Sequence, residues 1–416
     1  MFEGPKIDKE QGLGARSASS QNITGIVFGG VVPDTGTYTA LGTTVELIQA
    51  KDADALGLTA AYDAAKKVLV RHHIDEYFRL NPNGNLFIMI VAQTVTLAQM
   101  CTLANPYVKK LINDSGKKVK DVGVVRNPAT GYTSTLTNGL DADVLTAVPL
   151  AQLLVEDFIT QNVYLDHVWI EGRELNGAYS AIKDLRTMDS ANVRVVVSQD
   201  SVIAALDPLY AKYASIGTAL GMNGIRRVME DLGSINVLDN PDKSVDKYTL
   251  NNGVVWEAPA VSSGALTSSL TPAEIKLLQD KGYIFADVYP SYEGVFFNKG
   301  NACTAIDSDF AYGTRMRVWN KAARLAVKKF IPKYNSIVAT ENNKITPITI
   351  SDWERDINNS RNGIGTMVRD GECKSSNVFI DPNLEVDPNE TEVVVNMEIG
   401  VFNYARKISG KLKMTV

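Results

Sequence analysis

The sequence contains few of the residues that enzymes most often use for chemistry. Its 416 residues include three histidines and three cysteines, and the cysteines lie far apart at Cys101, Cys303 and Cys373. An odd, widely spaced set disfavours a disulfide framework and a CxxC metal site. So few histidines leave few candidates for acid–base catalysis by imidazole. The composition therefore favours no class of enzyme.

Charge and hydrophobic runs argue against two further classes of function. The formal net charge is only −5, so the chain lacks the basic field of a nucleic-acid-binding protein. No apolar run approaches the roughly 20 residues that a membrane span needs. The polar, partly acidic residues 1–22 do not fit a secretory signal. We therefore expect a cytoplasmic origin, no nucleic-acid partner and no direct membrane insertion.

Motifs for phosphate binding and for a nucleophile are missing. No glycine-rich loop ends in Lys-Ser or Lys-Thr, so there is no P-loop. Gly217, Gly221 and Gly224 do not have the GxGxxG spacing, and we interpret them as close-packing or turn glycines in a helical region. Ser198 and Ser201 stand where a strand meets a helix, but the glycines of a nucleophile elbow are absent. An N-cap role of Ser or Asp explains the residues of this stretch, so we expect no catalytic residue and no cofactor.

One cluster of histidine and acidic residues falls on a predicted helix. His72, His73, Asp75 and Glu76 are close in sequence, whereas His167 lies on a distant predicted strand. Two ligands at helical spacing do not make a catalytic metal site. We interpret the cluster as a solvated helix face and expect no metal ion.

Strands and helices are predicted to alternate through the first half of the chain. The length itself predicts two domains, or three. The predicted strands are 23–32, 44–48, 86–92, 121–126, 164–170 and 193–197, and the helices are 53–80, 97–112, 141–160, 178–185 and one starting at Ser201. Such alternation predicts an α/β fold with a mixed, largely parallel sheet and flanking helices.

Further strands and helices are predicted in the second half, which ends in a smaller α+β carboxyl-terminal domain. A strand at 253–258 precedes a helix opened by Thr271, Pro272 and Glu274, which have capping-box spacing. A strand pair at 282–288 and 294–297 and two helices at 310–336 and 352–368 follow. Ser351 and Glu354 have the spacing of a second capping box. Beyond Gly371 only β-structure is predicted.

The helix predicted at 310–336 carries a basic stripe. Arg317, Lys321, Arg324 and Lys328 recur at steps of four, three and four residues, and no opposite charges at helical spacing neutralise them. The stripe is either a solvated face or a docking face for an acidic partner.

The end of the sequence alternates between apolar and polar residues. One apolar set is Val393, Val395, Met397, Ile399 and Val401, and the next is Ile408, Gly410, Leu412, Met414 and Val416. Period-two alternation predicts strands with one buried face. A strand at 405–416 would reach roughly 40 Å at about 3.3 Å per residue, and it needs a sheet edge to pair with.

The order of elements in the last third resembles the carboxyl-terminal domain of contractile tail sheath proteins. The stretches that carry the resemblance are SDFAYGTRMRVWNKAARLAVKKFIPKYN, DWERDINNSRNGIGTMVRDGE, SNVFIDPN and TEVVVNMEIGVFNYARKISGKLKMTV, together with ITGIVFGGVV near the start. Sheath proteins of this kind belong to myophages, pyocin-like particles and type VI-like injection systems. The resemblance covers about residues 23–50 and 300–416.

The resemblance implies a structural role. Sheath subunits stack as six-membered rings around an inner tail tube, and extended terminal arms add strands to the sheets of neighbours. It also implies a baseplate and a tail terminator as further partners, and a place in a virion tail or injection particle assembled in the bacterial cytoplasm. The stripe Arg317, Lys321, Arg324 and Lys328 would contact an acidic tube surface. The inter-subunit strand would be formed by Ile408, Gly410, Leu412, Met414 and Val416.

With this resemblance, the chain divides into five predicted parts. They are an extended arm at 1–22, an outer α/β domain at 23–240, connecting strands and a short helix at 241–300, an inner tube-facing α+β domain at 301–404, and a terminal strand at 405–416.

Two alternatives stay open from the sequence. One is an assembly protein of another kind, such as a tail tube, baseplate or capsid-associated subunit. The other is a cytosolic α/β enzyme whose site residues follow no recognised motif. Electron microscopy distinguishes them, because a sheath forms tubes or rings and an enzyme forms discrete particles.

Overall fold

The structure, a computed structural model, describes residues 23–237, 247–251, 255–383, 385–387 and 392–406. Its strands are β1 (Ile23–Gly30), β2 (Thr44–Leu47), β3 (Asn85–Ala92), β4 (Asp121–Val125), β5 (Leu136–Thr137), β6 (Leu140–Asp141), β7 (His167–Glu171), β8 (Val193–Val196), β9 (Ser198–Asp200), β10 (Pro259–Val261), β11 (Ala286–Tyr289), β12 (Tyr292–Phe297), β13 (Thr340–Glu341), β14 (Lys344–Ile345), β15 (Ser375–Ile380) and β16 (Val395–Gly400). Its α-helices are α1 (Asp52–Ala55), α2 (Ala60–Lys66), α3 (Val70–Leu80), α4 (Leu97–Cys101), α5 (Val108–Asp114), α6 (Ala142–Thr160), α7 (Ser201–Ala204), α8 (Ile216–Gly224), α9 (Pro272–Asp280), α10 (Gly313–Phe330), α11 (Pro347–Ile357) and α12 (Gly365–Arg369).

A six-stranded, largely parallel sheet forms the centre of the molecule, as the alternating pattern predicted. The strand order is β2-β3-β1-β4-β7-β8. All neighbours are parallel except β2 and β3, so β2 is an antiparallel edge strand. The central strands are apolar on both faces because helices cover the sheet on both sides.

Two hydrophobic cores lie on the two faces of this sheet. On β3, Phe87, Met89 and Val91 belong to one core and Leu86, Ile88 and Ile90 to the other, as the alternation of side chains in a strand requires. Apolar residues of α4, α5 and α6 complete the first core, and those of α3 and α8 complete the second.

Helix α8 packs closely on α3, and the glycines of GTALGMNG make this possible. A Cβ atom at Gly217 would lie 2.2 Å from the carbonyl oxygen of His73, and one at Gly221 would lie 2.7 Å from that of Tyr77. The interpretation of these residues as close-packing glycines is therefore confirmed. The interpretation of His73 and Glu76 as part of a solvated face is wrong, because both side chains are buried where the two helices meet.

Several predicted helices are shorter than their apolar pattern suggested. The helix predicted at 53–80 is divided into α1, α2 and α3, since Gly57 and Lys67 adopt positive φ angles of 84° and 54°. The helix predicted at 97–112 is divided into α4 and α5, with Pro106 in the connection. At 178–185 the prediction is wrong, because the only helical turn there is a 3₁₀ turn, Leu185–Thr187. The helix predicted from Ser201 ends at Ala204.

The local sequence explains where two later helices begin. Thr271 and Glu274 form the predicted capping box of α9. The predicted capping box at Ser351 is wrong, since α11 begins at Pro347 after Thr346. Proline is favoured at the first helical position, because its missing N–H has no partner there.

The carboxyl-terminal part packs β15 and β16 against α10, α11 and α12. Its core contains Val318, Ala322, Ile357, Met367 and Val378, with Val395, Ile399 and Val401 packed against it. The alternation predicted at 393–401 is matched in part, since Val395, Ile399 and Val401 are partly buried on one face, whereas Met397 of the same set is exposed. Residues 407–416, most of the predicted terminal strand, lie outside the described residues. No helix in the described part of the chain is long and apolar enough to cross a membrane.

Candidate assembly interface

One edge of the small sheet β15–β16 is covered by a helix. The N–H of Ile380 donates to Glu354 Oε1 at 2.9 Å, and Asn358 Nδ2 donates to the carbonyl oxygen of Ser376 at 3.3 Å. Glu354 lies on α11 and Asn358 directly follows it. The outer edge of β15 therefore has partners within the chain.

The opposite edge, on β16, is open. Ile380 lies opposite Val395 and Ser376 opposite Ile399 in the antiparallel register. Two residues directly opposite in an antiparallel pair point their N–H and C=O groups either toward each other or both away. Ile380 and Ser376 bond to the helix side and so point away from β16. The N–H and C=O groups of Val395 and Ile399 therefore point away from β15. No third strand pairs with β16 among the described residues. An open edge of this kind is a template for a strand from another chain.

Two neighbouring cavities, of about 720 Å³ and 300 Å³, lie between α10 and β16, and polar side chains such as Asn335 and Arg315 line them together with apolar ones. The apolar lining of the first is Val327, Phe330, Ile331, Val338, Trp353, Val393 and Val395, and that of the second is Phe310, Val318, Trp319, Ala322, Ala323, Met397, Ile399 and Val401. Trp319 is 44% exposed and Ile331 68% exposed. We call this surface the β16 groove.

The geometry of the β16 groove suits an amphipathic strand. A strand added to β16 would satisfy the outward main-chain groups and place alternate side chains in the groove. Large exposed side chains such as Trp319 and Ile331 are common at binding surfaces, since their burial on association is favourable. The surface is thus equipped to bind a strand that is apolar on one face.

A buried ion pair fixes the chain at the point where the last ten residues begin. The Arg406 guanidinium lies 2.9 Å from Asp231 Oδ2 and stacks on the ring of Tyr312, 3.9 Å from its centroid. The Tyr404 hydroxyl donates to the carbonyl oxygen of Met229. These contacts attach residues 404–406 to the body of the molecule, and we call them the Arg406 anchor.

The electrostatics of the Arg406 anchor favour an ionised carboxylate. Burial alone would raise the pKa of Asp231, but Arg406 and the N–H groups of Gly233 and Gly300 more than offset this and hold the pKa below its ordinary value. No sequence pattern links Asp231 to Arg406, which are distant in the chain, so sequence reasoning missed this pair.

The structure gives intramolecular partners to three residues of the predicted basic stripe. Arg317 is buried and donates to the carbonyl oxygen of Arg226 at 2.8 Å. Lys321 is buried against Glu372. Arg324 lies 2.8 Å from Asp166 Oδ1. These partners are distant in sequence, which is why helical spacing did not reveal them.

Lys328 is the exposed member of the stripe. Contact of the four residues with an inner tube stays a prediction, and in this structure only Lys328 is fully available for it. The predicted inter-subunit residues lie outside the described residues; they are Ile408, Gly410, Leu412, Met414 and Val416.

The residues that were weighed for catalysis have structural partners. Ser198 is buried and its hydroxyl accepts from the N–H of Ala286. Asp200 caps α7. Glu76 pairs with Arg79 and accepts from the indole N–H of Trp256. In residues 23–406, excluding the undescribed gaps, no three His, Cys, Asp or Glu side chains are grouped to hold a metal ion.

Two solved structures share the fold of this chain over its full length. A chain in the cryo-EM structure of the anti-feeding prophage baseplate is 15% identical, with a TM-score of 0.59 and 100% of both chains covered. A chain of the PVC sheath complex of an extracellular contractile injection system, in the contracted state, is 12% identical, with a TM-score of 0.55, covering 100% of this chain and 98% of that one. The fold is therefore that of contractile-system sheath structures. No curated protein matches the sequence.

A family model matches most of the chain. It is described as the DUF2586 N-terminal domain, and it matches residues 6–301. The chain belongs to the DUF2586 family.

Proposed function

We propose that this protein is a structural subunit of the sheath of a contractile injection system. In this proposal it polymerises as stacked six-membered rings around an inner tube, and contraction of the polymer drives the tube through a membrane. The observation that carries the proposal is the open, partly apolar β16 groove in a chain with a sheath fold. Such a groove provides a monomer with a site for a neighbour.

We propose that the occupant of the β16 groove is segment 407–416 of another copy. Its alternate residues Ile408, Leu412, Met414 and Val416 are apolar, and Lys407, Lys411 and Lys413 lie between them. Alternation of this kind matches an edge with a groove on one side and solvent on the other. The Arg406 anchor fixes where the segment leaves its own subunit.

The energetics of one such link are modest. Full burial of an apolar side chain contributes roughly 1.5–3 kcal/mol, so the four apolar residues contribute roughly 6–12 kcal/mol. Main-chain hydrogen bonds along β16, each worth about 1 kcal/mol net, add to this contribution. We expect a single strand link to be weak and the polymer to be stable because each subunit takes part in several such links.

Contraction is compatible with links of this kind. In the proposed mechanism the α/β body, residues 23–240 with the connecting elements of 241–300, and the 301–404 domain move as rigid units while the terminal segments stay paired. Better packing between subunits in the contracted state would supply the free energy. We place the 301–404 domain toward the tube and the α/β body outward, with residues 1–22 as a second arm.

Contact with the tube would be made in part by Lys328. Arg317 and Lys321 are occupied within the chain, so a tube contact through them requires their internal partners to be released. A baseplate and a tail terminator are further proposed partners, and the site of action is a virion tail or injection particle.

A second candidate is a ring-forming subunit at the baseplate. The solved structure with the TM-score of 0.59 is a baseplate structure. A baseplate ring would use the same groove once around a ring and would not propagate. Long tubes in preparations of the protein favour a sheath, and single rings favour the baseplate.

Electron microscopy and sedimentation of the purified chain test the proposal. The key variant replaces Ile408, Leu412, Met414 and Val416 by Ser, and the matched control replaces Lys407, Lys411, Lys413 and Thr415 by Ser. We expect tubes or rings from the wild type and the control, and folded monomers from the key variant. Monomers from the wild type under all conditions, or polymers from the key variant, would overturn the proposal.

A further inference from the structure

A cavity lined by basic residues adjoins the β16 groove. Its volume is about 460 Å³, and its charged lining is Lys117, Lys118, Lys120, Lys321, Arg324 and Lys328. It lies where the loop before β4 and the residues before β7 meet α10. Asn162 and Val327 line both this cavity and the larger part of the β16 groove, so the two surfaces are continuous.

The positive charge in this cavity is only partly compensated. Lys321 and Arg324 have carboxylate partners, Glu372 and Asp166. Among the described residues, no carboxylate lies within ion-pair distance of Lys118, Lys120 or Lys328. A cluster of like charges at a partly buried site is destabilising unless a partner of opposite charge covers it.

The pKa of Lys120 reflects the uncompensated positive charge in the cavity. Burial, together with the nearby charges of Arg324 and Lys328 and against the attraction of Asp166, lowers the pKa of Lys120 to about 8. A carboxylate placed in the cavity would stabilise the ammonium form. The cavity is therefore suited to a negatively charged occupant.

The same chain contains a segment with the complementary charge. From Ser375 to Ala405 there is no Lys or Arg, whereas Asp381, Glu385, Asp387, Glu390, Glu392 and Glu398 are all acidic. The segment spans β15, the connection and β16. Glu385, Glu392 and Glu398 are exposed. None of these three has a Lys or Arg within ion-pair distance in the described part of the chain.

We propose that the basic cavity binds the acidic β15–β16 connection of a second copy of this chain. The inference rests on the proposed polymer and names a second contact within it, which takes the place of the proposed tube contact at Lys328. The cavity and the connection are different surfaces of the same chain. When two copies bind, one copy therefore keeps a free cavity and the other keeps a free connection. A contact between unlike surfaces propagates into rings or filaments. It would also steer subunits together before the slower pairing of strands.

Charge reversal on each side provides the test. One variant carries Lys118→Glu and Lys328→Glu, and the other carries Glu385→Lys and Glu392→Lys; all four positions are exposed, so both variants should fold. A matched control carries Lys51→Glu and Lys276→Glu, exposed lysines remote from the cavity. The readout is the threshold concentration for polymer formation by full-length protein in sedimentation, at low and high salt.

We expect each variant to raise the threshold concentration about tenfold or more at low salt, because charge pairs at interfaces contribute on the order of 1.4 kcal/mol or more. The control should assemble like the wild type. A mixture of the two variants in equal amounts should recover assembly, because each altered cavity then meets an altered connection.

Other results would overturn the inference and separate it from the proposed function. Unchanged thresholds, or a mixture that assembles no better than its components, would exclude this contact while leaving the strand link intact. If only the cavity variant fails, and only when an inner tube protein is present, the acidic partner is the tube. Failure of the wild type to polymerise would remove the proposed function and this contact with it.

Discussion

Substitution of Arg406 by Met should loosen the attachment of residues 404–406 to the body of the molecule and lower its stability. In the structure Arg406 is the cation beside Asp231, a carboxylate that is only 3% exposed. Removing one partner of a buried ion pair costs about 3–5 kcal/mol. Two backbone donors to Asp231 Oδ1 remain, Gly233 at 2.9 Å and Gly300 at 3.3 Å, and the Arg406 side chain is 24% exposed. We therefore expect the free energy of unfolding to fall by less than this, about 2–3 kcal/mol.

Two further variants separate the ion pair from other effects of the change. Asp231→Asn in the Arg406→Met background removes the uncompensated charge, so it should recover about 1–2 kcal/mol. Arg406→Lys keeps the charge but loses the stacking on Tyr312, which is worth about 0.5–1 kcal/mol. These three variants thus give a graded series.

The assay combines urea unfolding with hydrogen–deuterium exchange of the peptide that spans 401–406. The exchange rate of this peptide should rise in Arg406→Met even where global unfolding changes little. The pKa of Asp231 is held below its ordinary value. The advantage of the wild type is therefore present above about pH 4 and is lost as the pH falls through the lowered pKa. Equal exchange in wild type and Arg406→Met, or no recovery by Asp231→Asn, would refute the reasoning.

Three further predictions concern the fold and its charges. Gly217→Val should lower the urea midpoint, with a loss of about 1–3 kcal/mol, because its Cβ would lie 2.2 Å from the carbonyl oxygen of His73; an unchanged midpoint would contradict the packing of α8 on α3. Lys321→Met should lower the free energy of unfolding by about 3–5 kcal/mol, because it leaves Glu372 buried and unpaired. Lys328→Met, at an exposed site, should change it by no more than about 0.5 kcal/mol. Equal effects would contradict the assignment of buried and exposed positions. Lys120→Met should stabilise the subunit by about 1–3 kcal/mol at pH 7. The gain should disappear near pH 10, because the pKa of Lys120 is about 8 in the folded state and the wild type becomes more stable as the pH rises from 8 to the higher pKa of the unfolded state. A gain independent of pH would show that the ammonium charge is not its source.

The central sheet was predictable because its strands are continuous apolar runs. The segments that became β1 and β3 are buried on both faces, and such runs between helices are the strongest signal of a parallel sheet. The beginning of α9 was predictable for a local reason, since the side chains of Thr271 and Glu274 accept each other's backbone N–H groups and Pro272 has no N–H that needs a partner. Both signals are contained in short stretches of sequence.

The surfaces that carry the proposed function were harder to predict, because distant residues determine them. The basic stripe appeared uncompensated along its helix, yet Asp166 and Glu372 reach it from other elements. His73 and Glu76 have a polar composition typical of an exposed face, but α8 covers them. The Arg406 anchor likewise depends on tertiary contacts. The apolar alternation of β16 was evident from the sequence, but its open edge was visible only once α11 was seen to cover β15.

Photo-crosslinking from Met397 tests the strand link most directly. A benzophenone amino acid at position 397 would stand in the β16 groove, and mixing ¹⁵N-labelled with unlabelled protein distinguishes links between copies from links within one. The native cysteines are buried, so a thiol-attached label at this position is equally specific. We expect crosslinks from position 397 to peptides of residues 407–416, in pairs that carry one labelled and one unlabelled chain. Crosslinks confined to a single chain, or to a different segment of the neighbour, would contradict strand exchange through the β16 groove.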